Sequence, residues 1–351
     1  MDQMSLASPP AGQKSDFDAD APDRTLLWVL GIVSTTIPFV AIGIRLYVKR
    51  CLWKQRISWD DGACIAALLA AISHISWMLK NLDYGLGKHL WDVRVVDITY
   101  HGVLSMTGSG IALTTHMCLV RISVLALYQR IFYIHQTSRR LIYIGYGICT
   151  IVAIADLGLV IARMVKCSGL KAISEPFCRA KSNSTGLTTI ATAYVLTDLF
   201  IYMIAIGRLR TLQVNRTKKI HLTVLFAVGL AACLFGLAKL IFMAVHFYSK
   251  DDLWYALWVG IFAILEANIA LACSCATFLP AFWKGQRPKL VSVGSAFRSH
   301  AQGTSSKDNS GHSKPRYSPG RESDEALVEE RSIELCEHTH VPPGLPRQIV
   351  V

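Results

Sequence analysis

The chain has little charge. Asp, Glu, Lys and Arg make up 17% of its 351 residues, against about 25% in soluble domains. Acidic residues are the scarcer sign, 24 against 36 basic, which leaves a formal net charge of +12. The residues up to 25 carry Asp16, Asp18, Asp20 and Asp23 and no apolar stretch, so the pattern of a cleavable secretory signal is missing. The first apolar block is expected to act as its own targeting signal. HExxH, paired CxxC and aspartate-rich diphosphate motifs are also missing, and with them the usual signatures of metal chemistry. No metal and no cofactor is implied. The last apolar block holds no Lys before Lys284, so a retinal Schiff base has no ordinary place to form.

The chain is instead rich in apolar residues. Hydrophobic residues make up 52% of it, and its mean hydropathy is +0.38. They gather into seven long blocks near 26–48, 58–79, 102–130, 140–164, 187–207, 219–247 and 253–283. About 20 apolar residues cross a bilayer as a helix, and barrel strands need only about 9–11 of alternating polarity. Lipid offers the backbone no hydrogen-bond partner, so each block must be helical. The expected fold is therefore all-α: a polytopic seven-transmembrane helix bundle over 26–284. A short amino-terminal segment (1–25) precedes it. A disordered tail (285–351) follows, rich in Ser, Gly and charge and without an apolar face. This excludes a soluble enzyme and a disulfide-stapled secreted domain. Nucleic acid is not an expected partner, because the basic residues sit in short connections between blocks; the bilayer is.

Those connections also orient the chain. Lys49, Arg50, Lys54, Arg56, the Arg130–Arg140 group, the 208–219 group and the first tail residues give sixteen basic residues on one side, against eleven on the other. The richer side reads as cytoplasmic. The amino terminus is then outside and the carboxyl terminus inside. A plasma membrane is expected rather than an internal one. Cys167 and Cys178 share one outer connection, where an oxidising compartment permits a disulfide; closing so short a loop would add roughly 2–3 kcal/mol on the chain-entropy model. The same connection carries the glycosylation sequon at Asn183. A second sequon at Asn215, on the opposite side, should stay unmodified. Cys64, Cys118, Cys149, Cys233, Cys273 and Cys275 read as small packing residues.

A charge at bilayer depth costs at least about 2.5–3.5 kcal/mol, so it needs a partner or a role. Asp156, Asp198, Lys239 and Glu266 lie within blocks four, five, six and seven, and His74 and His116 add to them. At 1.5 Å per residue, Asp156 and Lys239 lie roughly 10–12 Å, and Asp198 and Glu266 roughly 16–18 Å, below the outer ends. The expectation is one polar pocket opening outward, with Asp156, Asp198, Lys239, Glu266 and His116 as its lining and Lys239–Glu266 as an ion pair. An interhelical network that only fixes packing stands beside that reading. Asp60 and Asp61 at the start of block two read as N-capping or pairing groups. Gly108-Ser109-Gly110 reads as a small-residue patch for close helix packing.

Several local patterns then converge. They include Arg45 before Trp59-Asp60-Asp61, Tyr84-Gly85-Leu86-Gly87-Lys88-His89, the Arg121–Phe132 run and the Cys167/Cys178 pair. Further along come Asp198, Lys218-Lys219-Ile220, Phe226 and Gly229, then Trp258, Glu266, Asn268, Cys275 and Pro280. Over residues 27–284 the chain resembles the fungal seven-transmembrane rhodopsin-domain integral membrane proteins, which include surface-sensing receptor-like proteins and members found in secondary-metabolite gene clusters. It departs from them in having Arg at 121 where Lys is expected and Lys at 239 where Arg is common. No cysteine precedes the first block, so the CFEM domain of some relatives is absent. Neither Asp-Arg-Tyr in block three nor Asn-Pro-x-x-Tyr in block seven is present, so G-protein coupling does not follow from the topology.

The resemblance implies a receptor-like sensor with a small-molecule ligand. The basic connection at 208–221 and the tail would then meet a cytoplasmic signalling partner. The alternative is a membrane-embedded enzyme or accessory protein of secondary metabolism acting on an apolar substrate. Glu266 and Asp198 would then be its acid and base. A transporter is disfavoured, since no inverted repeat is visible and Pro38 is the only proline well inside a block.

Overall fold

The computed structural model describes Pro9, Gly12 and residues 15–17, 24–94, 100–131, 136–166, 180–209, 216–246 and 251–285. Every element among them is helical. Seven helices are long and apolar enough to cross a membrane. They are α1 (Arg24–Tyr47), α2 (Trp59–Asn81), α3 (Tyr100–Ile131), α4 (Gln136–Lys166), α5 (Ala180–Leu209), α6 (Arg216–Val245) and α7 (Asp252–Ala276). Most run a few residues past the expected apolar blocks, because a helix continues through polar ends that still satisfy its own backbone.

Helix α3 is central. It packs against α2, α4, α5 and α7, while α7 also packs against α1 and α6. Half of the apolar window of α3 is buried within the protein, but only 6% of that of α4. Ile151 and Ile154 on α4, Leu196 and Met203 on α5 and Ile241 on α6 stay exposed. In a bilayer these faces meet acyl chains, and exposure there carries no hydrophobic cost. The interior is built from small and medium residues. Ala67, Val120, Ala263, Ala267 and Leu271 form one cluster with Cys64 and Cys275.

Glycines allow several close approaches. A Cβ at Gly108 would lie 2.8 Å from the Trp77 ring, and one at Gly110 3.1 Å from Val160. The patch on α3 thus lets α2 and α4 close on it from two sides, as its composition suggested. After α2, the chain turns through Gly85 (φ 90°) and Gly87 (φ 85°), a left-handed backbone that favours glycine. The Gly87 N–H donates to the Leu253 carbonyl at 3.2 Å, which seats this turn on the start of α7. His89 and the Leu90 N–H then hold the Asp251 carboxylate at 2.5 and 2.9 Å, and the His89 ring stacks on Trp91.

The end of α1 and the start of α2 form a first ionic cluster. Ser58 is the N-cap of α2, and its N–H donates to Asp61 Oδ2 at 3.0 Å in a capping box. Arg45 Nε donates to Asp61 at 2.7 Å and the same guanidinium bridges to Asp60. Lys49 reaches Asp61 at 2.6 Å and Asp60 at 3.2 Å. Arg45 and Lys49 also face the Phe278 ring at 4.8 and 5.6 Å. Capping and pairing are therefore both present, and the partners come from the last turns of α1 and the helical turn that follows it.

Candidate functional site

The second cluster lies inside the bundle. Asp198 accepts two hydrogen bonds from Arg121, from Nε at 2.9 Å and Nη2 at 2.7 Å. The same Nη2 donates to Glu266 Oε1 at 3.1 Å. Lys239 Nζ donates to Glu266 Oε2 at 2.6 Å, the ion pair expected from the sequence. The result is a chain of alternating sign, Asp198–Arg121–Glu266–Lys239, with one member from each of α5, α3, α7 and α6. Arg121, Lys239 and Glu266 are buried and the Asp198 side chain is 18% exposed. All four carboxylate oxygens are taken by cations.

Local sequence makes this approach feasible. Gly236, one turn before Lys239 on α6, leaves room for the acid: a Cβ there would lie 3.3 Å from the Glu266 carboxylate. The Arg121 guanidinium lies over the Tyr194 ring at 4.5 Å, and Arg121 Nη1 donates to the Met117 carbonyl within its own helix at 3.1 Å.

Asp156 is not a member of this chain. It accepts from Thr114 Oγ1 and from the Tyr194 hydroxyl, both at 2.7 Å. Tyr194 therefore links the two sets, with its hydroxyl on Asp156 and its ring under Arg121. His116 is also apart. It is fully buried, and neither ring nitrogen has a hydrogen-bond partner. His74 Nδ1 lies 3.1 Å from the Ser109 carbonyl.

A cavity of about 60 Å³ adjoins the ionic chain. Arg121, Asp198 and Glu266 line one part of it, and Tyr128, Cys233 and Cys273 another. It extends from the charges toward the carboxyl-terminal end of α3. The expected pocket opened at the opposite end and was lined by Asp156 and His116 as well. Tyr194 and Arg121 stand between Asp156 and the acids, the hydroxyl of one on Asp156 and the guanidinium of the other on Asp198 and Glu266. A water needs about 10–15 Å³ of such volume, so the cavity has room for a few waters or one small group. Ligand pockets usually run to about 300–1,000 Å³.

Arg121 is the member that inspection of the sequence did not place in the pocket. The signal for it was charge balance. Asp156, Asp198 and Glu266 stood against Lys239 alone, and a further cation was due. Among the described residues, no group of three or more His, Cys, Asp or Glu could hold a metal ion. Cys167 and Cys178 lie outside the described residues, as do Asn215 and nearly all of the expected tail. Asn183 falls in the first turns of α5.

The fungal rhodopsin domain model matches residues 44–284. The chain belongs to the fungal rhodopsin domain family. The matched stretch contains both ionic clusters, including Arg121, Asp198, Lys239 and Glu266. Two curated relatives share most of its length. The "Wortmanamides biosynthesis cluster protein C" of Talaromyces wortmannii is 29% identical over 305 residues, covering 81% of this chain and 77% of that protein. The "Fugralins biosynthesis cluster protein 2" of Gibberella zeae is 22% identical over 301 residues, covering 81% and 71%. Homologues of this fungal rhodopsin domain protein are thus named for secondary-metabolite clusters.

Proposed function

We propose that this protein is a membrane sensor attached to a specialised-metabolite pathway, with the chain Asp198–Arg121–Glu266–Lys239 as its switching element. The carrying observation is that this chain joins four helices at the wall of a cavity while leaving no carboxylate oxygen free. A sensor needs an element with two discrete arrangements that a ligand can bias. An alternating ionic chain is such an element, because each cation can exchange one acid for another. A small molecule with an apolar body and an anionic head would compete with Asp198 and Glu266 for Arg121. Its entry would separate α5 and α6 from α3 and α7, since the cavity at rest is too small for it. The basic connection at 208–221 and the tail would carry the change to a cytoplasmic partner, with the protein in the plasma membrane and its amino terminus outside.

The enzyme reading is less well supported by the same geometry. A general acid or base must reach its substrate's proton directly or through one water, and here every carboxylate oxygen is already engaged. Metabolite profiles of two strains separate the readings, one with the gene deleted and one carrying Glu266→Gln. A sensor predicts that many products fall together in both, with no single precursor building up. Accumulation of one precursor, converted by membranes that hold the unaltered protein, would overturn the sensor.

A further inference from the structure

One acid within the spans has no cation. Asp60 and Asp61 pair with Arg45 and Lys49, Asp198 with Arg121, and Glu266 with Arg121 and Lys239. Asp156 has only the hydroxyls of Thr114 and Tyr194, both 2.7 Å from the same oxygen, Oδ2. Thr114 has one proton and also faces the Gly110 carbonyl at 3.0 Å, so it cannot serve both fully. Among the described residues, Oδ1 receives no hydrogen bond. Asp156 lies ten residues before the end of α4 at Lys166, roughly 15 Å along the axis. Only 6% of the apolar window of α4 is buried in the bundle. Asp156 itself is partly exposed, and Ile154, Ala155, Leu157 and Gly158 beside it are exposed. One turn on, Val160 packs at Gly110 of α3 and Leu159 near Gly186 of α5. Asp156 thus stands in the seam where α4 meets both helices, open to the bilayer.

We propose that Asp156 anchors a lateral binding site for an apolar primary amine that enters from the bilayer. A carboxylate at this depth needs a partner or a role. The protein gives a Lys or Arg to each of the four acids named above, and the acid that lacks one is the one that faces lipid. The ammonium of the ligand takes Oδ1, where its N–H groups meet an acceptor that no side chain uses and its charge replaces the missing cation. Its hydrocarbon body lies against exposed residues of α4 such as Ile154 and Leu157, in place of acyl chains. The same carboxylate turns away an anionic head, so this site and the cavity beside Arg121 select opposite charges. Tyr194 lies between the two, with its hydroxyl on Asp156 and its ring under Arg121. The amine site stands whether or not the ionic chain switches.

The test uses the full chain in phosphatidylcholine nanodiscs with three photoreactive probes. These are a long-chain primary amine and the alcohol and carboxylic acid of the same chain, each with a diazirine on the chain. After irradiation the labelled peptides are mapped by mass spectrometry. The expected result is saturable amine labelling of α4 and α5 around Asp156 and Tyr194, displaced by the unlabelled amine, with alcohol and acid at background. In Asp156→Asn, which keeps an acceptor for Tyr194 and removes the charge, the labelling falls about tenfold or more. Adding phosphatidylethanolamine to the discs separates two sources of the amine: loss of labelling assigns the site to the lipid headgroup, and unchanged labelling to a free amine. Equal labelling by amine and alcohol, amine labelling that does not saturate, or undiminished labelling in Asp156→Asn would overturn the proposal. Displacement in the unaltered chain decides the matter even if the variant fails to fold.

Discussion

The two ionic clusters contain the same charges, two cations and two carboxylates, and differ in how they are wired. At the α1–α2 end, Arg45 and Lys49 each touch both Asp60 and Asp61. Every member has a second partner, and all four come from residues close in sequence. In the mid-bundle chain, Asp198 relies on Arg121 and Lys239 relies on Glu266. Each link joins a different pair of helices. The first wiring is redundant and local and suits an anchor. The second is linear and long-range, and breaking one link changes which helices are tied. A cavity lies beside the second, which gives that break somewhere to go.

The sharpest way to separate the two is to remove one cation from each. Arg121→Met leaves the partly buried Asp198 without a cation and the buried Glu266 with Lys239 alone, and an uncompensated buried charge costs up to about 3–5 kcal/mol. A large fall in the thermal midpoint in detergent is expected, with partial recovery in the double variant Arg121→Met/Asp198→Asn. Arg45→Gln leaves Lys49 on both acids, so a smaller loss is expected, about 1–3 kcal/mol for a disrupted charged hydrogen bond. Equal losses at the two sites would break the comparison. Gly236→Ala comes next. Its new methyl meets the Glu266 carboxylate at 3.3 Å, and mild overpacking costs about 1 kcal/mol. Because the crowded group is Glu266, this variant should also alter the cavity, read as a changed alkylation rate of Cys233 and Cys273, which line it. The smallest effect belongs to Ser58→Ala, which removes an N-cap worth about 1 kcal/mol and should leave those two cysteines reacting at the ordinary rate.

Much of the fold could be read in the sequence, for a physical reason. A bilayer forces each span to satisfy its own backbone, so span existence is a local property of about 20 residues. The glycine patch on α3 was legible on the same terms, since small residues serve helix approach wherever they occur. The site was legible in its residue types and only partly in its arrangement. Lys239 and Glu266 do pair. Asp156 instead sits with Thr114 and Tyr194, and Arg121 takes the place between the acids. Which charges meet depends on how each helix is rotated about its axis. An apolar span in lipid carries little amphipathic pattern to report that rotation, as α3 illustrates with lipid, protein and cavity all around it. Tyr194, which joins Asp156 to Arg121, is a contact that no spacing rule reveals.

The measurement that bears most directly on the switching chain is the distance between the cavity ends of α3 and α6, taken by electron–electron double resonance. It compares the unaltered protein, Glu266→Gln and Arg45→Gln in nanodiscs. A switching chain predicts a second, longer distance population in Glu266→Gln and a single unchanged one in Arg45→Gln. One unchanged distribution in all three would contradict it and leave Asp198, Arg121, Glu266 and Lys239 as a packing network alone.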